Sequence, residues 1–196
     1  MSFRAELLPI SPELQAEMIG ASWHPDARCP AWGDLVVIRM PHWGFDAVVH
    51  PGELVVAAAV ADDVVSAFAR IFAARFPIER MVRIDAYGGD DNRSMEANNT
   101  SAFNFRTIAG LDSLSLHSFG TAIDINPAQN PYIAGERVLP PAAMAYLDRA
   151  DVRPGMLVRP GPVTDAFDAI GWEWGGDWSP RKDYHHFATR SAPAGP

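Results

Sequence analysis

The chain has 196 residues, enough for one domain with a buried core, and its hydrophobic content of 48% is typical of a globular protein. Its formal net charge of −8 argues against nucleic-acid binding through a basic surface. Cys29 is the only cysteine, which excludes an intrachain disulfide and a cysteine-based zinc site.

Targeting and membrane signals are missing from the pattern. Residues 1–20 lack a basic stretch followed by an apolar run, so we expect no signal peptide and a cytoplasmic location as synthesised. No stretch approaches the roughly 18 uninterrupted apolar residues of a membrane helix, so we expect no membrane insertion. The oligomeric state stays open.

The first half of the chain is predicted to hold two helices and two strands. Ser11 can cap a helix and Pro12 is tolerated at its first position, so a short helix begins there. The segments that follow are a loop at residues 22–32, strands at 34–40 and 45–50 broken by Pro41 and Gly44, and a helix at 61–76 that Pro77 stops.

The second half is predicted to hold shorter elements. In order, these are a strand at residues 81–87, a polar loop at 88–100, a strand at 122–126, helices at 141–148 and 163–170, and closing strands at 172–174 and 184–187. The tail at 191–196 is expected to be frayed. This order is typical of an α+β fold, in which a small antiparallel sheet is flanked by helices.

His117 and Asp124, seven residues apart, form the first part of a candidate metal site. Asp124 follows the apolar pair Ala122 and Ile123, and an unpaired ionised carboxylate is costly to bury in such a strand. A divalent cation would offset that cost. Gly120 can turn the chain back so that the two side chains converge. Taken alone, this spacing is a weak signal.

A second pair near the C-terminus strengthens the signal, since Asp183 precedes His186 by three residues. Two imidazoles and one carboxylate suit a catalytic zinc ion, because three protein ligands leave the fourth tetrahedral position open. Asp183 lies where it could take a proton from water at that position. The pattern therefore predicts one zinc ion held by His117, Asp124 and His186, the last in competition with His185, and it indicates a zinc hydrolase.

These motifs resemble the signature of zinc D-alanyl-D-alanine carboxypeptidases and dipeptidases, whose relatives include L-alanyl-D-glutamate endopeptidases. The family pattern Ser-x-His-x-x-Gly-x-Ala-x-Asp is matched over residues 115–124. Its later pattern, an acid followed after two residues by His and an aromatic, is matched over residues 183–187. The likeness covers roughly residues 54–188. We therefore expect a single domain over 1–196, with a peptidase-like core at about 54–188 and an N-terminal extension at 1–53 packed on it.

The resemblance implies a role for each matched residue. The zinc ligand is expected to be His186 and not His185, because the family places its ligand directly before the aromatic residue. Zinc-activated water would be the nucleophile and Asp183 the general base. Arg106, which corresponds to an upstream arginine of the family, would stabilise the carbonyl oxygen or hold substrate. Ser115 would contact the substrate.

Two departures from the family pattern stand beside these roles. Many relatives carry a glutamate where Asp183 stands, so the shorter side chain changes the distance from base to metal. Many also place a glutamate where Ala188 stands, so one supporting partner of the site is missing. Asp90 and Asp91 lack the spacing of a calcium loop and are interpreted as part of a hydrated loop.

By this resemblance we expect a zinc metallopeptidase that hydrolyses peptide bonds in the stem peptides of peptidoglycan. Either a D-Ala-D-Ala carboxypeptidase or an L-Ala-D-Glu endopeptidase fits, and peptidoglycan or its muropeptides would be the substrate. Action on the cell wall would then require release or export by another route. One alternative is a non-catalytic module that keeps zinc and binds a peptide or a protein partner. Another is a zinc amidase or other peptidase on the same scaffold.

Overall fold

The computed structural model describes residues 2–108 and 110–190, which hold four α-helices and eleven short strands. The helices are α1 (Pro12–Met18), α2 (Ala61–Ala73), α3 (Asp91–Glu96) and α4 (Pro162–Asp168). The strands are β1 (Glu6–Pro9), β2 (Leu35–Trp43), β3 (Val49–Ala57), β4 (Arg80–Met81), β5 (Asn99–Thr100), β6 (Ala122–Asp124), β7 (Tyr132–Ala134), β8 (Arg137–Leu139), β9 (Glu173–Trp174), β10 (Lys182–Asp183) and β11 (His186–Ala188). Turns of 3₁₀-helix lie at Trp32–Asp34, Ala58–Val60, Ile84–Tyr87, Leu116–Phe119, Pro141–Tyr146 and Gly175–Asp177.

The strands form three antiparallel sheets of three strands each and one parallel pair. Their orders are β1-β2-β3, β10-β7-β8 and β6-β11-β9, with β4 beside β5. The predicted α+β class, with small antiparallel sheets and a few helices, is confirmed. None of the helices among the described residues is long and apolar enough to cross a membrane.

The main core lies between one face of the β6-β11-β9 sheet and the helices α2 and α4. Phe187 of β11 stacks on Phe167 of α4 with ring centroids 4.1 Å apart, and Phe68 of α2 meets Phe167 edge-on at 6.3 Å. Burying each such ring contributes about 1.5–3 kcal/mol. Because successive side chains of a strand point to opposite faces, Phe187 anchors β11 in this core while His186 faces the other way.

The N-terminal sheet supports the region around His117 through backbone hydrogen bonds. The N–H of Ala57, at the end of β3, donates to the carbonyl of Gly120 over 2.9 Å. The N–H of Phe103 donates to the carbonyl of Val55 over 3.0 Å. The proposed division of the chain at residues 53 and 54 stays a prediction.

Three of the four predicted helices fit the structure. Ser11 caps α1, since its Oγ accepts the N–H of Leu14 over 3.3 Å. The helix predicted at 61–76 is α2, which ends three residues early, and the helix predicted at 163–170 is α4. The segment at 141–148 forms a 3₁₀-helix instead of an α-helix. The tail at 191–196 lies outside the described residues.

The predicted break at Pro41 is wrong, because β2 continues through it to Trp43. Proline removes a backbone donor and is tolerated in a strand only where no neighbour needs that donor. β1 pairs only with residues 36–39 of β2, so Pro41 lies beyond the end of β1. On its other side Pro41 is paired with Pro51 of β3, which lacks an N–H as well.

The strand predicted at residues 45–50 is also wrong, since most of it is the turn that joins β2 to β3. The N–H of Gly44 donates to the carbonyl of Val48 over 2.8 Å, and the carboxylate of Asp46 accepts the N–H of Val48 over 3.0 Å. Side chains such as that of Asp46 favour turns by bonding to their own backbone. The strand proper, β3, starts at Val49.

Two further predictions fail between residues 81 and 100. The strand predicted at 81–87 is limited to β4, after which a 3₁₀-helix ends at Gly88 with a φ of 66°. The loop predicted at 88–100 contains α3 and β5. Asp90 caps α3 by accepting the N–H of Arg93 over 3.1 Å, a helix-start signal hidden in a polar sequence.

Candidate metal centre

His117 lies in a single turn of 3₁₀-helix whose ends are both fixed. Ser115 caps the start, because its Oγ accepts the N–H of His117 over 3.3 Å, and Gly120 ends the turn with a φ of 67°. The ring Nδ1 lies 2.6 Å from the carbonyl oxygen of Ala102. Since a carbonyl only accepts, Nδ1 carries the proton, and Nε2 presents its lone pair on the other side of the ring.

Asp124 and His186 lie on neighbouring antiparallel strands. The register of β6 and β11 places them directly opposite each other, with Oδ1 of Asp124 2.9 Å from Nδ1 of His186. The backbone of Asp124 is also held from the other side, where it exchanges two hydrogen bonds of 2.9 and 3.0 Å with Ser101. Strand pairing therefore sets the position of both side chains.

The three side chains converge on one point. Nε2 of His117 lies 3.2 Å from Nδ1 of His186 and 3.2 Å from Oδ2 of Asp124. These donor atoms all lie within 4.8 Å of one another, and all three residues are buried. Among the described residues, these three form the only group of three or more potential metal ligands. The set of two imidazoles and one carboxylate fits a zinc ion, as the sequence predicts.

The neighbouring charges shift the pKa values of His117 and Asp124 in opposite directions, in both cases against the effect of burial. Burial by itself lowers the pKa of His117, but the adjacent Asp124 carboxylate outweighs it and raises that pKa. Burial likewise acts to raise the pKa of Asp124, yet the charges of His117 and His185 bring it well below its ordinary value. The Asp124 carboxylate therefore favours a positive charge where the three side chains meet, and a divalent cation would supply it.

His185 does not join the three-residue group. Its Nδ1 lies 2.7 Å from the carbonyl of Asn130, and its Nε2 lies 2.9 Å from Oδ1 of Asp183 but 3.9 Å from Asp124. Burial alone lowers the pKa of His185, while the Asp183 and Asp124 carboxylates raise it to about 10. Sequence reasoning treated His185 only as a rival ligand and missed this ion pair. The one available signal was its position two residues after Asp183.

Asp183 lies on β10, opposite Tyr132 of β7, with 15% of its side chain exposed. Its neighbour Gly175 leaves no room for a side chain. A Cβ there would lie 2.5 Å from the carbonyl oxygen of Asp183 and 2.8 Å from its Cβ. The Asp183 side chain is therefore packed against Gly175, and its Oδ1 pairs with His185, whose Nε2 lies 3.9 Å from Asp124 of the group.

Arg106 lies at the edge of the same region. Its guanidinium pairs with Oδ2 of Asp91 over 2.9 Å, and both side chains are 29% exposed. Among the weaker influences on the pKa of His117, Arg106 lowers it and Asp91 raises it, so both charges act at the group. The N–H of Ser115 donates to the carbonyl of Arg106 over 3.0 Å. Ser115 is itself buried, and its contact with substrate stays a prediction.

Three tryptophans between residues 172 and 178 contribute to both the core and the site. Trp172 and Trp174 are buried in the main core. Trp178 is half-buried, and its ring lies 5.3 Å from the ring of His186. Trp178 therefore limits the space on one side of a predicted ligand.

Comparison with known protein families shows that residues 109–189 match a family model described as D-alanyl-D-alanine carboxypeptidase. This part of the chain matches the D-alanyl-D-alanine carboxypeptidase family. Its members are zinc peptidases. The resemblance inferred from the motifs is thereby confirmed over residues 109–189, and Arg106 precedes this segment. Searches of curated proteins and of solved structures returned no match.

The matched segment and the buried group of potential metal ligands coincide. The matched segment contains His117, Asp124 and His186, the three residues that the structure brings together. It also contains Asp183.

Proposed function

We propose that the protein is a zinc-dependent peptidase that hydrolyses peptide bonds in peptidoglycan stem peptides. The bond would be that of a D-Ala-D-Ala carboxypeptidase or an L-Ala-D-Glu endopeptidase. The observation that carries the proposal is the meeting of His117, Asp124 and His186 at one buried point, with the Asp183 carboxylate beside them. A peptide or peptidoglycan substrate also follows from the family that residues 109–189 match.

His117, Asp124 and His186 would hold the zinc ion through Nε2, a carboxylate oxygen and Nδ1. When bound, zinc supplies a Lewis acid that polarises the peptide carbonyl and lowers the pKa of water toward neutrality. The ring of His117 is pre-oriented for this task, because its Nδ1 proton is committed to the carbonyl of Ala102.

Asp183 is the proposed general base and acid. The ion pair with His185 engages Oδ1, so Oδ2 is the atom that takes a proton from the attacking water. The same carboxyl group then gives that proton to the amine that leaves. Such proton transfer contributes typically about 10²–10⁴-fold to the rate.

Arg106 is proposed to stabilise the negative charge of the reacting peptide or of a substrate carboxylate. As water adds to the peptide carbonyl, charge develops on the carbonyl oxygen, and a fixed guanidinium stabilises it. Arginine also binds a terminal carboxylate through two parallel hydrogen bonds. Either use requires the guanidinium to keep one position, which its contact with Asp91 favours.

The alternative is a module that binds zinc and peptide without cleaving. The position of Asp183 favours the enzyme, because a purely structural zinc site has no need of a nearby carboxylate that is not a ligand. A catalytic site keeps an open position, and the three-residue group leaves one.

The test is digestion of defined muropeptides by the zinc-loaded protein, followed by mass spectrometry of the fragments. We expect either loss of a terminal D-Ala or cleavage between L-Ala and D-Glu, and the fragment masses distinguish these two bonds. Protein carrying Asp183→Asn serves as the control. Intact muropeptides after prolonged incubation with protein that holds one zinc ion per chain would favour the non-cleaving module.

A further inference from the structure

The ion pair between Asp91 and Arg106 connects α3 to the candidate metal centre. Oδ2 of Asp91 lies 2.9 Å from a terminal guanidinium nitrogen of Arg106. The matched family segment contains neither residue, and the motifs assign no role to Asp91. The proposed mechanism therefore assigns no role to Asp91 itself.

The backbone of Arg106 is fixed against the turn that carries His117. Its N–H donates to Oγ of Ser118 over 2.9 Å, and that hydroxyl donates to the carbonyl of Arg106 over 2.7 Å. Two residues earlier, the N–H of Asn104 donates to the carbonyl of His117 over 3.1 Å. The segment from Asn104 to Arg106 therefore cannot shift without moving a proposed zinc ligand.

The start of α3 is fixed to the same segment. The side-chain amide of Asn104 donates to the carbonyl of Gly89 over 3.1 Å, just before the helix begins. Gly89 has a φ of 75°, and a Cβ at that position would collide with the backbone carbonyl of Ala21. Only glycine fits there without strain. Asn104 therefore links the segment before α3, which leads to Asp91, with the segment that carries Arg106.

The guanidinium itself has few other partners. Nε of Arg106 is buried and donates no hydrogen bond to any described residue. A long side chain loses about 2 kcal/mol of rotamer entropy when it is fixed. The carboxylate of Asp91 is the one charged group in the described contacts that opposes this freedom.

We propose that Asp91 is a positioning residue that holds the guanidinium of Arg106 beside the metal centre without itself touching substrate. This inference rests on the proposed function, in which Arg106 stabilises charge on the scissile carbonyl or binds a carboxylate of the substrate. Asp91 keeps the guanidinium in one place before substrate arrives. Such preorganisation matters because a misplacement of about 1 Å can cost about 100-fold in rate.

The kinetic test compares Asp91→Asn and Asp91→Ala with Arg106→Ala and with the double variant. We expect kcat/KM to fall about 100- to 1000-fold in Arg106→Ala and about 10- to 100-fold in the Asp91 variants. If Arg106 stabilises charge on the scissile carbonyl, the loss at Asp91 falls mainly on kcat; if Arg106 binds a carboxylate of the substrate, KM rises as well. Adding Asp91→Ala to Arg106→Ala should cost nothing more, because Asp91 acts only through Arg106.

Two companion variants test whether charge at this position is what matters. Asp91→Glu keeps the carboxylate and should recover part of the activity that Asp91→Asn loses. Glu96→Gln removes a charge from an exposed position at the other end of α3 and should leave kcat/KM unchanged.

A second measurement does not depend on turnover. The Nε–Hε signal of Arg106 in ¹⁵N NMR spectra is assigned by its loss in Arg106→Ala, and its heteronuclear NOE reports fast side-chain motion. We expect an ordered Arg106 in the wild type, with or without zinc, and a mobile one in Asp91→Ala.

The outcomes separate this inference from the proposed function. An Asp91→Ala protein as fast as wild type, beside a slow Arg106→Ala, overturns the role of Asp91 and leaves the peptidase intact. A double variant much slower than Arg106→Ala overturns it as well. If wild-type protein with bound zinc cleaves no muropeptide, the proposed function fails. The NMR result then decides alone, and an Arg106 equally ordered in both proteins refutes the inference.

Discussion

His186 and Asp124 face each other across two paired strands, with Nδ1 and Oδ1 2.9 Å apart. Their meeting is a property of the register between β6 and β11, since a slip of one residue would turn His186 toward the core and Phe187 toward the site. Phe187 resists that slip because its ring is stacked on Phe167 in the core. Core packing therefore places two of the three proposed zinc ligands.

Asp124→Asn is expected to lose stoichiometric zinc. The substitution keeps the shape of the side chain but removes the negative charge that faces both His117 and His186. Elemental analysis of the purified protein measures the metal content. Zinc should also raise the melting temperature of wild type and leave that of the variant nearly unchanged, since a ligand stabilises only the state that it binds. One zinc ion per chain in the variant would contradict the assignment of Asp124.

Asp183→Asn is expected to keep its zinc and to lose turnover by about 10²–10⁴-fold. The amide has nearly the same volume, so the packing against Gly175 is preserved, but it cannot accept the proton of the attacking water. Steady-state cleavage of a muropeptide, together with metal analysis of the same sample, gives both quantities. A rate near that of wild type would exclude Asp183 as the base.

His185→Gln and His186→Gln are expected to differ in metal content. His186 contributes Nδ1 to the three-residue group, so its replacement should abolish stoichiometric zinc. The ring of His185 is committed to Asn130 and Asp183, so its replacement should leave zinc bound. Both variants remove one buried imidazole, which makes each the control for the other. Zinc lost from both alike would show that metal content reports general damage to the fold.

The candidate metal ligands could be predicted because each lies in a short motif with its own local geometry. His117 precedes a glycine that ends a turn, and Asp124 sits in an apolar strand where a carboxylate is unexpected. Contacts between distant segments gave no such signal. The pairing of Asp91 with Arg106 requires that α3 exist, and its polar sequence favoured a loop.

Strand prediction succeeded where packing creates a pattern and failed where pairing alone defines the strand. β6, β9 and β11 border the main core, and their apolar residues indicated them. β4, β5 and β10 have two residues each, too few for any alternation to be seen, and β9 is equally short but carries Trp174 of the main core. β10 nevertheless positions Asp183, so its place depended on tertiary contacts that the sequence does not display.

Gly120→Ala is expected to destabilise the protein more than Gly135→Ala, although both glycines have a positive φ, 67° and 61°. At Gly135, in the turn between β7 and β8, a Cβ meets nothing within 4 Å, so the cost is that of the left-handed backbone alone, about 1–2 kcal/mol. At Gly120 the Cβ would also lie 2.5 Å from the backbone nitrogen of Ala57. Relieving that overlap should add about 1–3 kcal/mol.

Urea denaturation of the two variants, without zinc, measures the difference in unfolding free energy. The hydrogen bond from Ala57 to the carbonyl of Gly120 means that the overlap is relieved only by separating β3 from the turn that holds His117. Gly120→Ala should therefore also weaken zinc binding, whereas Gly135→Ala should not. Equal losses of stability in the two variants would show that the contact with β3 is not what requires glycine at position 120.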